Sequence, residues 1–262
     1  MENKNQIVFV EERRDQIFKY IESVKKATVS ELSIEFNVST STVRTDLLSL
    51  ENKGLIHRTH GGALSLDNIK VSLEPLPTSK QNLMIKQKKE IANSANRIIE
   101  DGDTIAICTG TTTMELAKTL INKKNLTIVV NDIKIANWLE NNTDHVVYVI
   151  GGIVRRNFHY VSFTSETFPL INIDKAFFTC NGLNVNKGAT IPDFMLAENI
   201  RMIINHSNES CLLCDSSKFG HVSFVKIIAT DEIDKIIVDK DVKQEHISLF
   251  SNNGFTNLII SS

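Results

Sequence analysis

Apolar residues recur at helical spacing early in the chain and in strand-sized runs later, and that change of period divides the sequence. Over Glu12–Val24 they fall at Ile17, Tyr20, Ile21 and Val24, one face of a helix. Thr28-Val29-Ser30-Glu31 places a hydroxyl at an N-cap and a carboxylate three residues on. Each side chain can then satisfy a backbone N–H of the other residue, so a short helix through Leu32 and Phe36 is predicted. Asn37-Val38-Ser39 interrupts it, and Ser39 can cap a third helix over Thr40–Asn52. In that helix Val43, Leu47 and Leu50 share a face at i, i+4 and i+7. Gly54 stands where a helix stop is wanted. Leu55–Thr59 reads as a strand, Gly61-Gly62 as a tight turn and Ala63–Leu66 as the returning strand. Three short helices with a tight turn between the second and third, then a β-hairpin, describe a winged helix-turn-helix.

The segment 67–84 carries Pro75 and Pro77, lacks a clear period and reads as a linker between a domain at 1–66 and another at 85–262. From Ile85 the pattern alternates. A helix to Glu100 turns through Asp101-Gly102 into a strand at Thr104–Cys108, and Gly110–Thr113 leads into a helix through Leu116 and Leu120. Strands are predicted at Leu126–Val130, Val146–Ile150, Lys175–Cys180, Ser210–Asp215, Val225–Ala229 and Lys235–Val238. Helices are predicted at Ile133–Leu139, near Ala197–Asn205 and near Asp231–Ile233. Such βα alternation argues for a larger α/β domain with a mainly parallel sheet covered by helices on both faces. The residues before Glu11 and the tail after Asp239 suggest no role.

Composition narrows this reading only slightly. The chain has 262 residues, 42% of them hydrophobic, enough for two domains with real cores. No apolar run approaches the ~18 residues of a membrane helix, and Ile7–Val10 is too short for a signal peptide, so a cytoplasmic protein without membrane contact is expected. Cys211 and Cys214 have the C-x-x-C spacing, but within a strand residues three apart face opposite ways, and no second such pair completes a zinc site. They read as buried thiols, with no metal or cofactor implied. The net charge of −2 supplies no basic footprint, and residues 1–62 balance nine Lys and Arg against nine Asp and Glu.

Pattern makes the case for nucleic acid that charge does not. A recognition helix needs one packed face and another bearing short hydrogen-bonding and basic side chains. Ser39, Thr40, Ser41, Thr42, Arg44 and Thr45 offer the second face, hydroxyls for phosphates and base edges, Arg44 for guanine or a phosphate. On the hairpin, His57, Arg58 and His60 could meet the DNA backbone or minor groove. A small helical domain that binds protein is the alternative.

The run Val38-Ser39, Thr42-Val43-Arg44-Thr45-Asp46-Leu47, Leu50-Glu51, Gly54-Leu55-Ile56, Arg58 and His60-Gly61-Gly62-Ala63 resembles the N-terminal signature of DeoR-type bacterial repressors. Where that family usually has two adjacent arginines this chain has Arg44-Thr45, one positive charge fewer.

In the second half, three strand ends suggest a site for a phosphate-sized anion. Thr109-Gly110-Thr111-Thr112-Thr113 lies between strand and helix, where backbone N–H groups and hydroxyls form a cradle. Gly151-Gly152 with Arg155 puts a cation at a second strand end, and Asp215 with Lys218 follows a third. An ordinary surface pair is the alternative for the last two. These segments, with Asp101–Thr104, Asp174–Phe177 and Ile191-Pro192-Asp193, also resemble the DeoR-type effector domain, itself similar to ribose-5-phosphate isomerase. The resemblance runs from about Glu12 to Asp239. It implies a transcription regulator, a repressor of sugar metabolism genes that binds double-stranded operator DNA, is controlled by a phosphorylated sugar and lacks enzymatic activity. Paired operator half-sites add the expectation of a homo-oligomer, a dimer or tetramer. Cys108-Thr109 stands where many members have Asp-Ser, Leu196, Ile200 and Arg201 stand where members often carry Glu and later Lys-Arg, and a Gly usual after the Gly-Gly-x-x-Arg region is lost within Tyr160–Phe163. Asp193, Asp215 and Lys218 are the groups an isomerase would use, and Leu196 replaces a further carboxylate. An isomerase with an accessory domain and a regulator that has lost its effector remain the competing readings.

Overall fold

The computed structural model describes residues 10–52, 55–59, 61–65, 77–80 and 83–261. Gly54, His60, Leu66, most of the predicted linker and the side chain of His57 lie outside the described set. The chain divides into two compact units, one holding the elements from Val10 to Ser65, the other those from Met84 onwards.

The first unit follows the predicted order with one addition. Helices α1 (Val10–Val24), α2 (Val29–Glu35) and α3 (Thr40–Asn52) are joined by a strand β1 (Lys26–Thr28) that the sequence reading missed. Strands β2 (Ile56–Thr59) and β3 (Gly62–Ser65) form the hairpin, and β1 adds to it antiparallel, giving the order β1-β3-β2. Gly62 permits that addition, since a Cβ there would lie 2.2 Å from the carbonyl oxygen of Ala27. The Thr28 capping box forms as predicted: Thr28 Oγ1 accepts from the Glu31 N–H at 3.2 Å, and the Glu31 carboxylate accepts from the Thr28 N–H at 2.7 Å. Ser39 Oγ accepts from the Thr42 N–H at 3.1 Å and starts α3. Ile17 and Ile21 of α1, Leu32 of α2 and Val43, Leu47 and Leu50 of α3 make one core. Burying a side chain of this size contributes about 1.5–3 kcal/mol, which is what holds three helices too short to persist alone.

The predicted linker holds a single helical turn, α4 (Pro77–Lys80), and the first helix of the second unit is α5 (Ile85–Arg97). Next come β4 (Thr104–Ile107), α6 (Thr111–Thr119), β5 (Thr127–Val130), α7 (Ile133–Asn142) and β6 (Val146–Val149). Short strands β7 (Ile153–Val154) and β8 (Val161–Ser162) pair with each other before β9 (Ile173–Phe178), β10 (Gly182–Asn184) and β11 (Gly188–Ile191). Helix α8 (Phe194–Asn205), β12 (Ser207–Leu213), β13 (Val225–Ile228), β14 (Lys235–Val238), α9 (Gln244–Asn252) and β15 (Leu258–Ile260) complete the order.

Among the described residues seven strands form a parallel sheet in the order β15-β14-β12-β9-β4-β5-β6. Its central strands are near-continuous apolar runs because both faces are covered. Ile105, Ile107, Ile128, Val130, Phe177, Cys211 and Ile237 pack on one side with α5, α6 and α7. Ala106, Val129, Ala176, Phe178, Leu212, Cys214 and Ile236 pack on the other with α8 and Phe250 of α9. Cys211 and Cys214 therefore do face opposite ways.

Three expectations need correction. Val225–Ile228 is no part of the parallel sheet; β13 joins β10 and β11 in a separate antiparallel sheet, β10-β11-β13. Asp231–Ile233 is not an α-helix: Asp231 and Glu232 lie in a 3-10 turn at Thr230–Glu232, and Ile233 caps it. The tail after Asp239 has a role, since α9 covers the core and β15 adds the edge strand beside β14.

Candidate functional site

In the first unit, α3 presents its buried and exposed faces as an amphipathic helix must. Val43, Asp46, Leu47 and Leu50 are buried, whereas Thr40, Ser41, Arg44 and Thr45 are exposed, with Thr42 half-buried. Ser39 is exposed and ties its hydroxyl to Ser41 at 2.7 Å and Thr42 at 2.8 Å, while Thr45 Oγ1 donates to the Ser41 carbonyl at 3.1 Å. Arg44 makes no hydrogen bond or ion pair with any described residue, so its guanidinium is available. Asp46 is the surprise. It is 1% exposed, and its carboxylate accepts from Arg13 Nε at 2.7 Å and Arg14 Nε at 3.0 Å. That hydrogen bond to Asp46 is the main cause of an upward shift in the Arg14 pKa. An acid that the sequence places beside the reading residues is thus turned inward and neutralised by α1. Arg58 is half-buried, with its guanidinium 3.6 Å from Glu51 and its N–H donating to that carboxylate at 3.1 Å. The backbone of His57 pairs with Leu64 in the hairpin, and His60 falls outside the described residues.

In the second unit the parallel strands run outward from β4 in one direction and from β9 in the other, so the chain reverses its building direction between these two neighbours. Crevices for ligands open at the carboxyl ends of strands at such a point. Thr109–Thr113 stands there. Gly110 starts α6, and a Cβ on it would lie 2.7 Å from Thr179 Oγ1 beyond β9 and 2.8 Å from Thr113 Oγ1. Met114 N–H makes the first hydrogen bond of the helix, to the Gly110 carbonyl at 3.0 Å, and the amides of Thr111, Thr112 and Thr113 lie ahead of it. Thr112 and Thr113 are buried, and Thr111 is half-buried.

Thr109 is held from behind by the end of β5. Its N–H donates to Asn131 Oδ1 at 2.9 Å, and its hydroxyl donates to the Asp132 carboxylate. Asp132 also caps α7, accepting from the N–H groups of Lys134 at 2.8 Å and Ile135 at 3.1 Å. Burial raises its pKa, against the lowering effect of the Thr109 hydroxyl and those two amides. The backbone at Asp132 lies opposite Tyr160 in an isolated antiparallel bridge, closed by the Ile133 N–H to the His159 carbonyl at 2.9 Å and the Val161 N–H to the Asn131 carbonyl at 2.7 Å, and the Tyr160 hydroxyl donates to Asp193 Oδ2 at 2.7 Å. Asp193 caps α8 by accepting from the Leu196 N–H at 3.1 Å. The Arg155 N–H donates to the Tyr160 carbonyl at 2.8 Å, while Gly151, Gly152 and the Arg155 side chain are exposed. The backbone bridge and these side-chain bonds therefore tie three of the predicted segments together around Thr109, Arg155 and Asp193.

Asp215 and Lys218 lie at the end of β12, separated from β4 by β9 and so about 10 Å away along the sheet. Asp215 is buried and accepts from the N–H and hydroxyl of Ser217, with Lys218 Nζ 3.8 Å from its carboxylate. The apolar departures are core residues. Cys108, Phe163, Leu196 and Ile200 are all buried in one cluster, and burial pushes the Cys108 thiol up to about 12. Arg201 donates to the carbonyls of Ile227 at 3.1 Å and Lys226 at 2.7 Å, fixing α8 to β13. Sequence reasoning missed Asn131, Asp132 and Thr179: Asn131 and Asp132 follow the predicted apolar strand at Leu126–Val130, the signal that picked out Thr109, whereas Thr179 lies within the predicted strand Lys175–Cys180. A depression of 530 Å³ lined by Lys123, Lys124, Asn125 and residues 140–145 lies at the opposite ends of β5 and β6, away from this chemistry.

Among known families, the DeoR-like helix-turn-helix domain matches residues 13–68, and the DeoR C terminal sensor domain matches residues 83–240. The chain is 33% identical over 234 residues to the lactose phosphotransferase system repressor of Staphylococcus epidermidis, covering 88% of this chain and 92% of that protein. It is 30% identical over 255 residues to the HTH-type transcriptional regulator GolR of Listeria innocua, covering 94% and 97%. Of solved structures, ribose 5-phosphate isomerase A from Methanocaldococcus jannaschii aligns over 52% of this chain and 55% of its own at 15% identity, with a TM-score of 0.39, a slight likeness.

Proposed function

The chain belongs to the DeoR family of transcriptional regulators, and on that premise we propose that it is an operator-binding repressor of sugar metabolism genes, controlled by a phosphorylated sugar held in its α/β domain. The observation that carries the DNA half is the sorting of α3: every large apolar residue of its stripe and Asp46 are buried, while Ser41, Arg44 and Thr45 are exposed. The domains fall at 1–66 and 85–262, with 67–84 between them. Ser39–Thr42, Arg44 and Thr45 meet the DNA, supported on the hairpin by His57, Arg58 and His60. A regulator of this kind works in the cytoplasm, where its DNA is. Among the described residues no helix is long and apolar enough to cross a membrane. Paired half-sites are matched by a homo-oligomer.

For the sensing half, the N-terminal turn of α6 attracts an anion through aligned amides and the positive end of the helix dipole. Thr109–Thr113 hold the phosphate, with Gly151, Gly152, Arg155, Asp193, Asp215 and Lys218 around the sugar. Sensing fits better than catalysis. Asp193 and Asp215, the carboxylates that a proton transfer would need, are both occupied as caps, and Leu196 is core. Effector and operator are linked by a coupling of about 1–3 kcal/mol, or 5- to 150-fold in affinity. The test takes the full chain, selects bound duplexes from randomised DNA, and screens sugar phosphates for release of the selected duplex and for a rise in melting temperature. At least one sugar phosphate is expected to do both, and Lys218→Ala to abolish the gain. A selected duplex that no sugar phosphate releases refutes effector control.

A further inference from the structure

Asn131 occupies an odd position for a residue with two amide donors. It is fully buried at the end of β5, where its Oδ1 accepts from the Thr109 N–H at 2.9 Å and its backbone carbonyl accepts from the Val161 N–H at 2.7 Å. The Thr109 bond fixes which way the carboxamide is turned, because a backbone N–H must meet the oxygen and not the nitrogen. Nδ2 is left buried with no hydrogen-bond partner. Buried side-chain amides almost always find one. An orphan donor therefore stands behind Thr109, one residue before the Gly110 start of α6, whose first-turn amides precede the first bond of the helix.

We propose that Asn131 is a ligand-contacting residue of the sensing site, its Nδ2 donating to an anionic oxygen of the ligand, as part of the same cradle as the first-turn amides of α6. This rests on the reading of α6 as the anion site. Two features recommend it. Asp132 next door turns its carboxylate to Thr109, Lys134 and Ile135, and Nδ2 makes no hydrogen bond to it that would compete with the ligand. A donor held rigid by Thr109 loses little freedom when a ligand oxygen arrives, so it distinguishes an anion from a neutral group of similar size.

Inorganic phosphate is the probe, titrated into the full chain labelled with ¹⁵N and followed by the side-chain amide pair of Asn131, assigned by its loss in Asn131→Asp. The expected result is a saturable shift of that pair with the same midpoint as shifts of the Thr111–Thr113 backbone amides. In Asn131→Asp, which keeps the acceptor for Thr109 and loses the donor, phosphate affinity is expected to fall at least about tenfold. Movement of the α6 amides while the Asn131 pair stays still overturns the proposal and leaves the α6 reading intact. If neither set moves, the α6 reading falls and the proposal with it.

Discussion

Replacing Asp46 with alanine is expected to loosen the DNA-reading unit while leaving its outward face chemically untouched. The carboxylate is 1% exposed and accepts three hydrogen bonds, from Arg13 at 2.7 and 3.3 Å and from Arg14 at 3.0 Å. Removing one partner of a buried charge cluster typically costs about 3–5 kcal/mol, because the remaining charge stays uncompensated. Here the two arginines keep 16% and 19% side-chain exposure, so water recovers part of the loss. A cost of about 2–4 kcal/mol follows. At about 0.05–0.15 kcal/mol per residue, a unit of this size holds only about 3–8 kcal/mol, so the substitution spends a large share of it. Hydrogen exchange read by mass spectrometry on peptides from α1 and α3 gives the assay. Protection there is expected to drop by about thirtyfold to a thousandfold, with peptides from the parallel sheet unchanged. The combined change Asp46→Leu, Arg13→Met and Arg14→Met removes the charges together and is expected to restore most of the protection. Unaltered protection in Asp46→Ala, or a combined variant as weak as the single one, would refute this account of how α1 and α3 are joined.

Two further outcomes follow from the same unit. Arg44→Ala is expected to weaken binding to a selected duplex by about 1–3 kcal/mol and to relax base preference at one position, measured by fluorescence anisotropy; unchanged affinity removes Arg44 from the interface. Backbone and hydroxyl hydrogen bonds from Thr28 hold the Glu31 carboxyl below its usual range. A depressed pKa in the fold gives stabilisation that is complete above the ordinary carboxylate range and is lost as pH falls through the depressed value. Glu31→Gln is therefore expected to flatten the acid-side loss of helix α2 protection, and equal acid slopes in the two proteins would count against the capping box.

Local signals in the sequence reported local structure well. Thr28 with Glu31 and Ser39 with Thr42 are caps within a few residues, and the starts of α2 at Val29 and of α3 at Thr40 follow from them. Strand β1 was hidden because Lys26–Thr28 has only one buried residue and exists by pairing with Gly62–Leu64, far along the chain. Strand β13 was misassigned for the same reason, since an apolar run shows burial and not its partner, and its partners β10 and β11 were not predicted at all. Asp46 reads as a surface acid until Arg13 and Arg14 are brought to it over more than thirty residues. In the candidate site, Gly110–Thr113 was visible as a turn into a helix. Asn131 and Thr179 were not, because their importance comes from which strands are neighbours.

The reversal between β4 and β9 has a mechanical sequel. One half of the sheet is laid down by residues 104–149 and the other by residues after 173, and they meet along one seam. An occupant seated across that seam would act as a rivet between successive products of synthesis. Its grip would be felt only once both were assembled, so it would tighten the whole sheet together and would scarcely register on either fragment in isolation.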